Sequence, residues 1–99
     1  MTPLPKLWVV CYDITDDKRR TKVYKLLRGF GDHVQFSVFR CVLSAIQQAR
    51  LIDRLQMLVK PSEDQVLLIP LGSADSARSW EHVAVGLPMV SRDQVVRIL

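Results

Sequence analysis

Every position of Leu7-Trp8-Val9-Val10-Cys11-Tyr12 is apolar or aromatic, and a strand of that kind has no side to turn to water. Successive side chains of a strand point to opposite faces, so Val9 and Cys11 look one way and Trp8, Val10 and Tyr12 the other. A sheet with one solvated face alternates apolar and polar residues. This run does not alternate, and neither does Val66-Leu67-Leu68-Ile69-Pro70-Leu71. Both faces of a sheet built from these runs must be covered.

The rest of the chain supplies cover for one face only. Asp13 ends the first run, and Thr15, Asp16 and Asp17 follow it. Their oxygens suit a helix start, where free backbone N–H groups and the positive end of the dipole await them. Val23, Leu26, Leu27 and Phe30 then recur at helical spacing, and Gly29 and Gly31 stop the helix, which is expected over about residues 16–29. The stretch Val34–Leu43 is too long and too β-prone for one short strand. It reads as two strands, or one bent strand, turning near Arg40. Ser44 caps a second helix whose apolar stripe is Ile46, Ala49, Ile52, Leu55, Leu58 and Val59. This helix stops before Pro61, and Pro61-Ser62-Glu63-Asp64 is a turn.

Val66–Leu71 is the next strand, closed by Gly72, and Ser73–Ser79 is expected to form a short helical turn. Glu81–Val85 is a weaker strand, ended by Gly86 and Pro88, and Val95–Leu99 is another. The order is β-α-β-β-α-β plus an extra C-terminal strand. That is an α+β, ferredoxin-like pattern: an antiparallel sheet with two helices on one face. The simplest cover for the other face is a second copy of the chain, which predicts a homodimer packed through the sheet face.

With 99 residues, one domain is expected: residues 1–86, followed by a tail over 87–99. The net charge of +4 favours polyanions as partners, either nucleic acid or an anionic surface. Cys11 and Cys41 sit inside apolar runs without metal-ligand spacing and read as core residues of an intracellular protein. The start, Met1–Lys6, holds two prolines and no long apolar stretch, so no signal peptide is expected. No run reaches the ~18 apolar residues of a membrane span. A cytoplasmic protein with no membrane partner is the expectation. There is no P-loop, no Gly-rich dinucleotide turn and no Ser nucleophile motif, which disfavours nucleotide-cofactor enzymes.

Two features could carry chemistry. Asp13 follows an apolar strand at the start of a helix, where its carboxylate either bonds the following loop or binds a metal. One carboxylate makes a poor magnesium site. A two-fold axis near the strand ends would bring two together, and a divalent cation would relieve their repulsion. Such an ion could activate water and polarise a phosphodiester oxygen. The second feature is the first helix, where Lys18, Arg19, Arg20, Lys22, Lys25 and Arg28 are six of the chain's 14 lysines and arginines. Lys18, Lys22 and Lys25, with Arg28 and Arg19 beside them, lie opposite the apolar stripe, and no acidic residue follows Asp17 on that face to pair with them. The face is either solvated or a phosphate track whose affinity depends on salt. A dimer displays it twice, which suits a duplex. Trp8, Tyr12, Phe36 and Phe39 are candidates for stacking on bases or for core positions. Ser37 could share a hydrogen bond near Asp13. His33 and His82 have no Cys or His at ligand spacing.

Three segments together, Tyr12-Asp13-Ile14, Asp16-Asp17-Lys18-Arg19-Arg20-Thr21-Lys22-Val23 and Val34-Gln35-Phe36-Ser37-Val38-Phe39, resemble the CRISPR-associated Cas-two family. The resemblance covers about residues 7–71, and Val83-Ala84-Val85-Gly86 is similar to the family's closing strand. It implies a ferredoxin-like homodimer whose last strand often joins the partner's sheet. It also implies a bridge between two dimers of the spacer integrase and a grip on prespacer duplex DNA. Some members are magnesium-dependent nucleases on single-stranded RNA or duplex DNA, and others act without cleavage. The family's metal-linked aspartate matches Asp13, and its supporting residues match Tyr12, Arg20, Lys22, Ser37 and Phe39. Some members carry Arg where Lys22 and His33 stand. The tail is then expected to contact the partner chain or the integrase.

Three functions follow as expectations. The first is an adaptor that grips duplex DNA in the integration complex, with or without Mg2+- or Mn2+-dependent cleavage. The second is a stand-alone metal-dependent endonuclease on single-stranded RNA or on DNA. The third is a non-catalytic ferredoxin-like RNA-binding module.

Overall fold

Strand β1 (Lys6–Asp13) occupies the middle of the sheet, as an apolar strand must. It is flanked by β3 (Val38–Leu43) and β4 (Gln65–Ser73), and β2 (Gly31–Gln35) lies outside β3. All three pairings are antiparallel, in the order β2-β3-β1-β4. Helix α1 (Asp17–Arg28) joins β1 to β2, and α2 (Ala45–Leu58) joins β3 to β4. This is the expected ferredoxin-like arrangement. The structure is a computed structural model and describes residues 4–73, 81–86 and 95–98. Two further strands, β5 (Glu81–Ala84) and β6 (Val95–Ile98), form a separate parallel pair. The helical turn expected after Ser73 falls on residues 74–79, which lie outside the described residues, as does most of the tail.

Both helices begin and end where local chemistry dictates. Asp16 caps α1, its carboxylate accepting from the Arg19 N–H at 2.9 Å, and Gly29 closes the helix. Ser44 and Gln47 form a reciprocal box at the start of α2: Gln47 N–H donates to Ser44 Oγ and Ser44 N–H to Gln47 Oε1. The helices cover one sheet face. Against it pack Val23 and Leu27 of α1 and Leu51 and Leu55 of α2, meeting Val10, Tyr12, Phe39, Cys41 and Leu43. Each such burial contributes roughly 1.5–3 kcal/mol for a large apolar side chain.

Four expectations are corrected. The β2–β3 turn falls at Phe36-Ser37, and Arg40 lies within β3. Strand β2 starts earlier than expected, at Gly31, which sits so close to β3 that a Cβ there would strike the Arg40 carbonyl and the Cys41 sulfur. The buried stripe of α2 is phased differently, with Leu51 and Leu55 inward and Ile46 and Ala49 exposed. Gly72 does not close β4; with φ 120° it is carried inside the strand, which runs on to Ser73.

The opposite sheet face carries Val9 and Cys11 of β1, Val38 and Val42 of β3, and Leu67 and Ile69 of β4, as the registers Val9↔Arg40, Val9↔Ile69 and Cys11↔Leu67 require. Leu67 and Ile69 are 47% and 44% exposed. Leu71 is exposed too, at a bulge where the register shifts from Leu7↔Gly72 to Trp8↔Pro70. Cys41 is a core residue as expected, whereas Cys11 is only half-buried on this second face. Arg40, nearly buried, donates from this face to Asp32 at 3.2 Å.

Candidate nucleic-acid interface

Asp13 ends β1 with its side chain exposed. The strand's alternation sets it on the same face as Val9 and Cys11, while its neighbour Tyr12 turns to the helix side and is buried in the core. Tyr12 organises the turn beside it. Its N–H donates to the Ser37 carbonyl at 3.0 Å and its Oη to the Phe36 carbonyl at 3.2 Å. Burial pushes the Tyr12 phenol up, with Tyr24 adding to the effect and Arg20 opposing it, so the phenol remains a donor. Ser37 thus enters this region through its backbone. Phe39 is fully buried and packs on protein rings: Tyr12 at 6.3 Å, Tyr24 at 5.6 Å and His33 at 4.9 Å. It holds the other rings in place and is closed to any base.

The cations of α1 divide into two groups. Arg20 secures the β1–α1 loop, donating to the carbonyls of Ile14 at 3.0 Å and Thr15 at 3.4 Å and pairing with Asp17. Arg19 reaches the α2–β4 turn, where its Nε donates to Asp64 Oδ2 at 2.8 Å and its Nη2 to Glu63 Oε2 at 2.9 Å. The Arg19 guanidinium, then the Lys60 N–H, hold the Asp64 carboxyl below its usual range; Lys60 and then Arg19 do so for Glu63. The expectation of no acidic partner after Asp17 is therefore corrected for Arg19, while Arg20 pairs with Asp17 itself. For Lys18, Lys22 and Lys25 it stands: all three are exposed, and none is in an ion pair among the described residues. With Thr21 and Asp17 they line one open surface. Arg28, at the end of the helix, donates to Tyr24 Oη at 3.1 Å.

A second basic surface was not anticipated from sequence. Between α1 and α2 lies a cleft of about 430 Å3 lined by Lys25, Phe30, Gln47, Arg50 and Arg54 among others, with no carboxylate. Arg54 lies over the Phe30 ring at 5.9 Å. The available signal was the Arg50/Arg54 pair, four residues apart and so on one helix face. Tyr24 and His33 were also missed as a pair; their rings meet edge to face at 5.2 Å.

A divalent metal does not fit a single chain. Among the described residues no group of three or more His, Cys, Asp or Glu side chains is placed to hold one. Asp13 alone supplies too few oxygens for an ion that demands octahedral coordination. No described helix is long and apolar enough to cross a membrane.

Both the sequence and the fold have relatives among known proteins. Residues 6–79 match the family model described as CRISPR associated protein Cas2. Over 65 residues the chain is 45% identical to a Synechocystis protein named CRISPR-associated endoribonuclease Cas2 3, covering 66% of this chain and 71% of the relative. A Thermus thermophilus protein named CRISPR-associated endoribonuclease Cas2 is 40% identical over 79 residues, 80% of this chain and 84% of the relative. Among solved structures, Streptococcus pyogenes Cas2 superimposes with a TM-score of 0.63 at 28% identity, covering 67% of this chain and 86% of that one. A chain of a partial Cas6-RT-Cas1–Cas2 complex does so with a TM-score of 0.59 at 26% identity, covering 76% and 82%. The shared sheet order and the length of the match leave one assignment: this chain belongs to the CRISPR-associated Cas2 family.

Proposed function

We propose that the chain is a homodimeric adaptor of CRISPR spacer acquisition that grips prespacer duplex DNA beside a Cas1-type spacer integrase. The observation that carries this reading is the uncovered sheet face, where Leu67, Ile69 and Leu71 are nearly half exposed and Asp13 stands at the end of the same surface. A second copy laid on that face buries the apolar side chains. It also doubles the lysine row of α1, which then presents two phosphate tracks to one duplex. The integrase partner is supported by the likeness to a Cas1–Cas2 complex chain. The tail carrying β6 is available to contact the integrase or the partner chain, and the setting is the cytoplasm.

The dimer also bears on catalysis. Asp13 from both chains near the two-fold axis would give Mg2+ or Mn2+ two carboxylates, the usual number when waters and phosphate oxygens complete the shell. When bound, the ion supplies an activated water and a polarised phosphodiester oxygen. The chain's own contribution is placement: the Tyr12 hydrogen bonds to Phe36 and Ser37 fix the strand end that carries Asp13. Arg20 fixes the loop after it. Lys22 contributes to phosphate binding. A second reading, a metal-dependent endoribonuclease acting alone on single-stranded RNA, is favoured by the names of the relatives.

The test is a solution-mass measurement combined with cleavage assays on RNA and duplex DNA with Mg2+ or Mn2+, for wild type and Asp13→Ala. The expected mass is twice the 11.3 kDa of one chain, with metal-dependent cleavage abolished by the substitution. A single-chain mass persisting at high concentration overturns the assembly. Cleavage indifferent to Asp13→Ala removes Asp13 from the chemistry, and a DNA-binding dimer without cleavage leaves the adaptor alone. RNA cleavage with no duplex binding favours the second reading.

A further inference from the structure

Phe36 stands 75% exposed at the tip of the β2–β3 turn. Short turns favour Gly, Asn, Asp or Pro, and a phenyl ring adds nothing to turn geometry. The two hydrogen bonds from Tyr12 hold this turn from below, so the ring is presented in a fixed place. It forms one wall of a cleft of about 190 Å3, whose other lining residues are Tyr12, Arg20, Thr21, Tyr24 and His33. Sites for drug-sized ligands run to roughly 300–1,000 Å3; this one has room for a single flat ring system. Phe39 backs the Tyr24 and His33 rings from the core. No carboxylate lines the cleft. Thr21 lines both this cleft and the surface of Lys18, Lys22 and Lys25, so the two adjoin at that residue.

We propose that the cleft receives one unpaired nucleobase of a strand whose phosphates run along Lys18, Lys22 and Lys25. The inference rests on the reading of α1 as a phosphate track and adds to it the kind of strand end that is held. The aromatic walls offer stacking, which accepts any base because each has a π face. The rim offers polar groups for a base edge. His33 is among the lining residues and brings two ring nitrogens, and the Tyr24 hydroxyl accepts from Arg28 and so keeps its own hydrogen to donate. A base inside a duplex is already stacked and cannot enter without being extruded. The cleft therefore separates a blunt end from an end with a single-stranded extension.

The experiment is fluorescence anisotropy on a blunt duplex and on the same duplex with a short single-stranded extension, 3′ in one probe and 5′ in another, each as DNA and as RNA. The proteins are wild type, Phe36→Ala and Phe36→Trp. Wild type is expected to bind the extended duplex about tenfold more tightly, the scale of one stacked base. Phe36→Ala is expected to erase that preference and Phe36→Trp to keep it. The exposed position of Phe36 leaves the core untouched in both variants. A preference seen with only one sugar supports the cleft and names the strand it serves. Salt-dependent binding to the blunt duplex, with no preference for the extension or one that survives Phe36→Ala, overturns the cleft and leaves the track standing. Absence of salt-dependent binding to every substrate overturns both.

Discussion

Replacing Lys18, Lys22 and Lys25 with glutamine tests the phosphate track quantitatively. Seven residues of helix separate the first lysine from the last, about 10 Å at 1.5 Å per residue. Phosphates of one DNA strand advance ~3.4 Å along the axis, so the row spans about three of them. All three lysines are exposed and lack ion-pair partners among the described residues, so none of their charge is already offset. Two chains then neutralise about six phosphates, and with ~0.9 of log-log salt slope per phosphate the row accounts for a slope near −5. Such a slope corresponds to about a thousandfold loss of affinity between 50 and 200 mM salt. Glutamine matches lysine closely in helix propensity, so α1 remains folded. The assay is duplex-DNA binding by anisotropy across that salt range, and the triple variant is expected to bind weakly with a nearly flat dependence. Lys60→Gln is the control, because Lys60 Nζ is already 3.1 Å from Glu63. A triple variant that retains the wild-type slope, or a control that loses as much, refutes the reasoning.

Leu67→Glu with Ile69→Glu is expected to halve the solution mass, since both charges enter the proposed dimer face; an unchanged mass places the interface elsewhere. The same pair is expected to speed alkylation of Cys11, read by mass spectrometry. Cys41, whose thiol burial pushes up to about 11 with Asp32 adding to the effect, is expected to stay unlabelled until the chain unfolds. Gly31→Ala is expected to cost about 1–3 kcal/mol in urea denaturation, because the added methyl meets the β3 backbone; an unchanged midpoint contradicts the β2–β3 register. The depressed Asp64 and Glu63 carboxyls mean that the unfolded chain binds protons more readily than the folded one in acid. Their stabilisation is full above the ordinary carboxylate values and fades as pH falls through the lowered ones. Arg19→Gln is expected to flatten that acid limb in a stability-against-pH series, and an identical limb in the variant refutes the clamp.

Local signals reached the elements and long-range ones did not. Asp16, Gly29 and Ser44 mark helix ends by capping chemistry confined to a few residues, and the structure uses all three. The period-2 argument separated Val9 and Cys11 from Trp8, Val10 and Tyr12, and the burial pattern follows it, with Trp8, Val10 and Tyr12 on the core side. The turn at Phe36-Ser37 was illegible because Phe36 is no turn former and Ser37 is a lone turn residue inside a β-prone run; the constraint comes from Tyr12, 24 residues away. The α2 stripe was misphased because Ile46 and Ala49 are apolar yet solvent-facing, and only packing against the sheet decides between overlapping stripes. In the candidate site the lysine row was visible as composition. The partners of Arg19 were not, because Glu63 and Asp64 lie over forty residues downstream.

The pleat of β1 sends Tyr12 and Asp13 to opposite sides of one strand end. An engineer can therefore treat the outer aromatic walls and the carboxylate side as separate modules. Redesigning the ring-lined cleft with Tyr12 and Arg20 retained should leave Asp13 in its place, and swapping Asp13 for another ligand should leave the rings as they are. A single residue inserted upstream of Tyr12 within β1 would invert the two, which makes strand length the parameter to conserve when this scaffold is grafted or shortened.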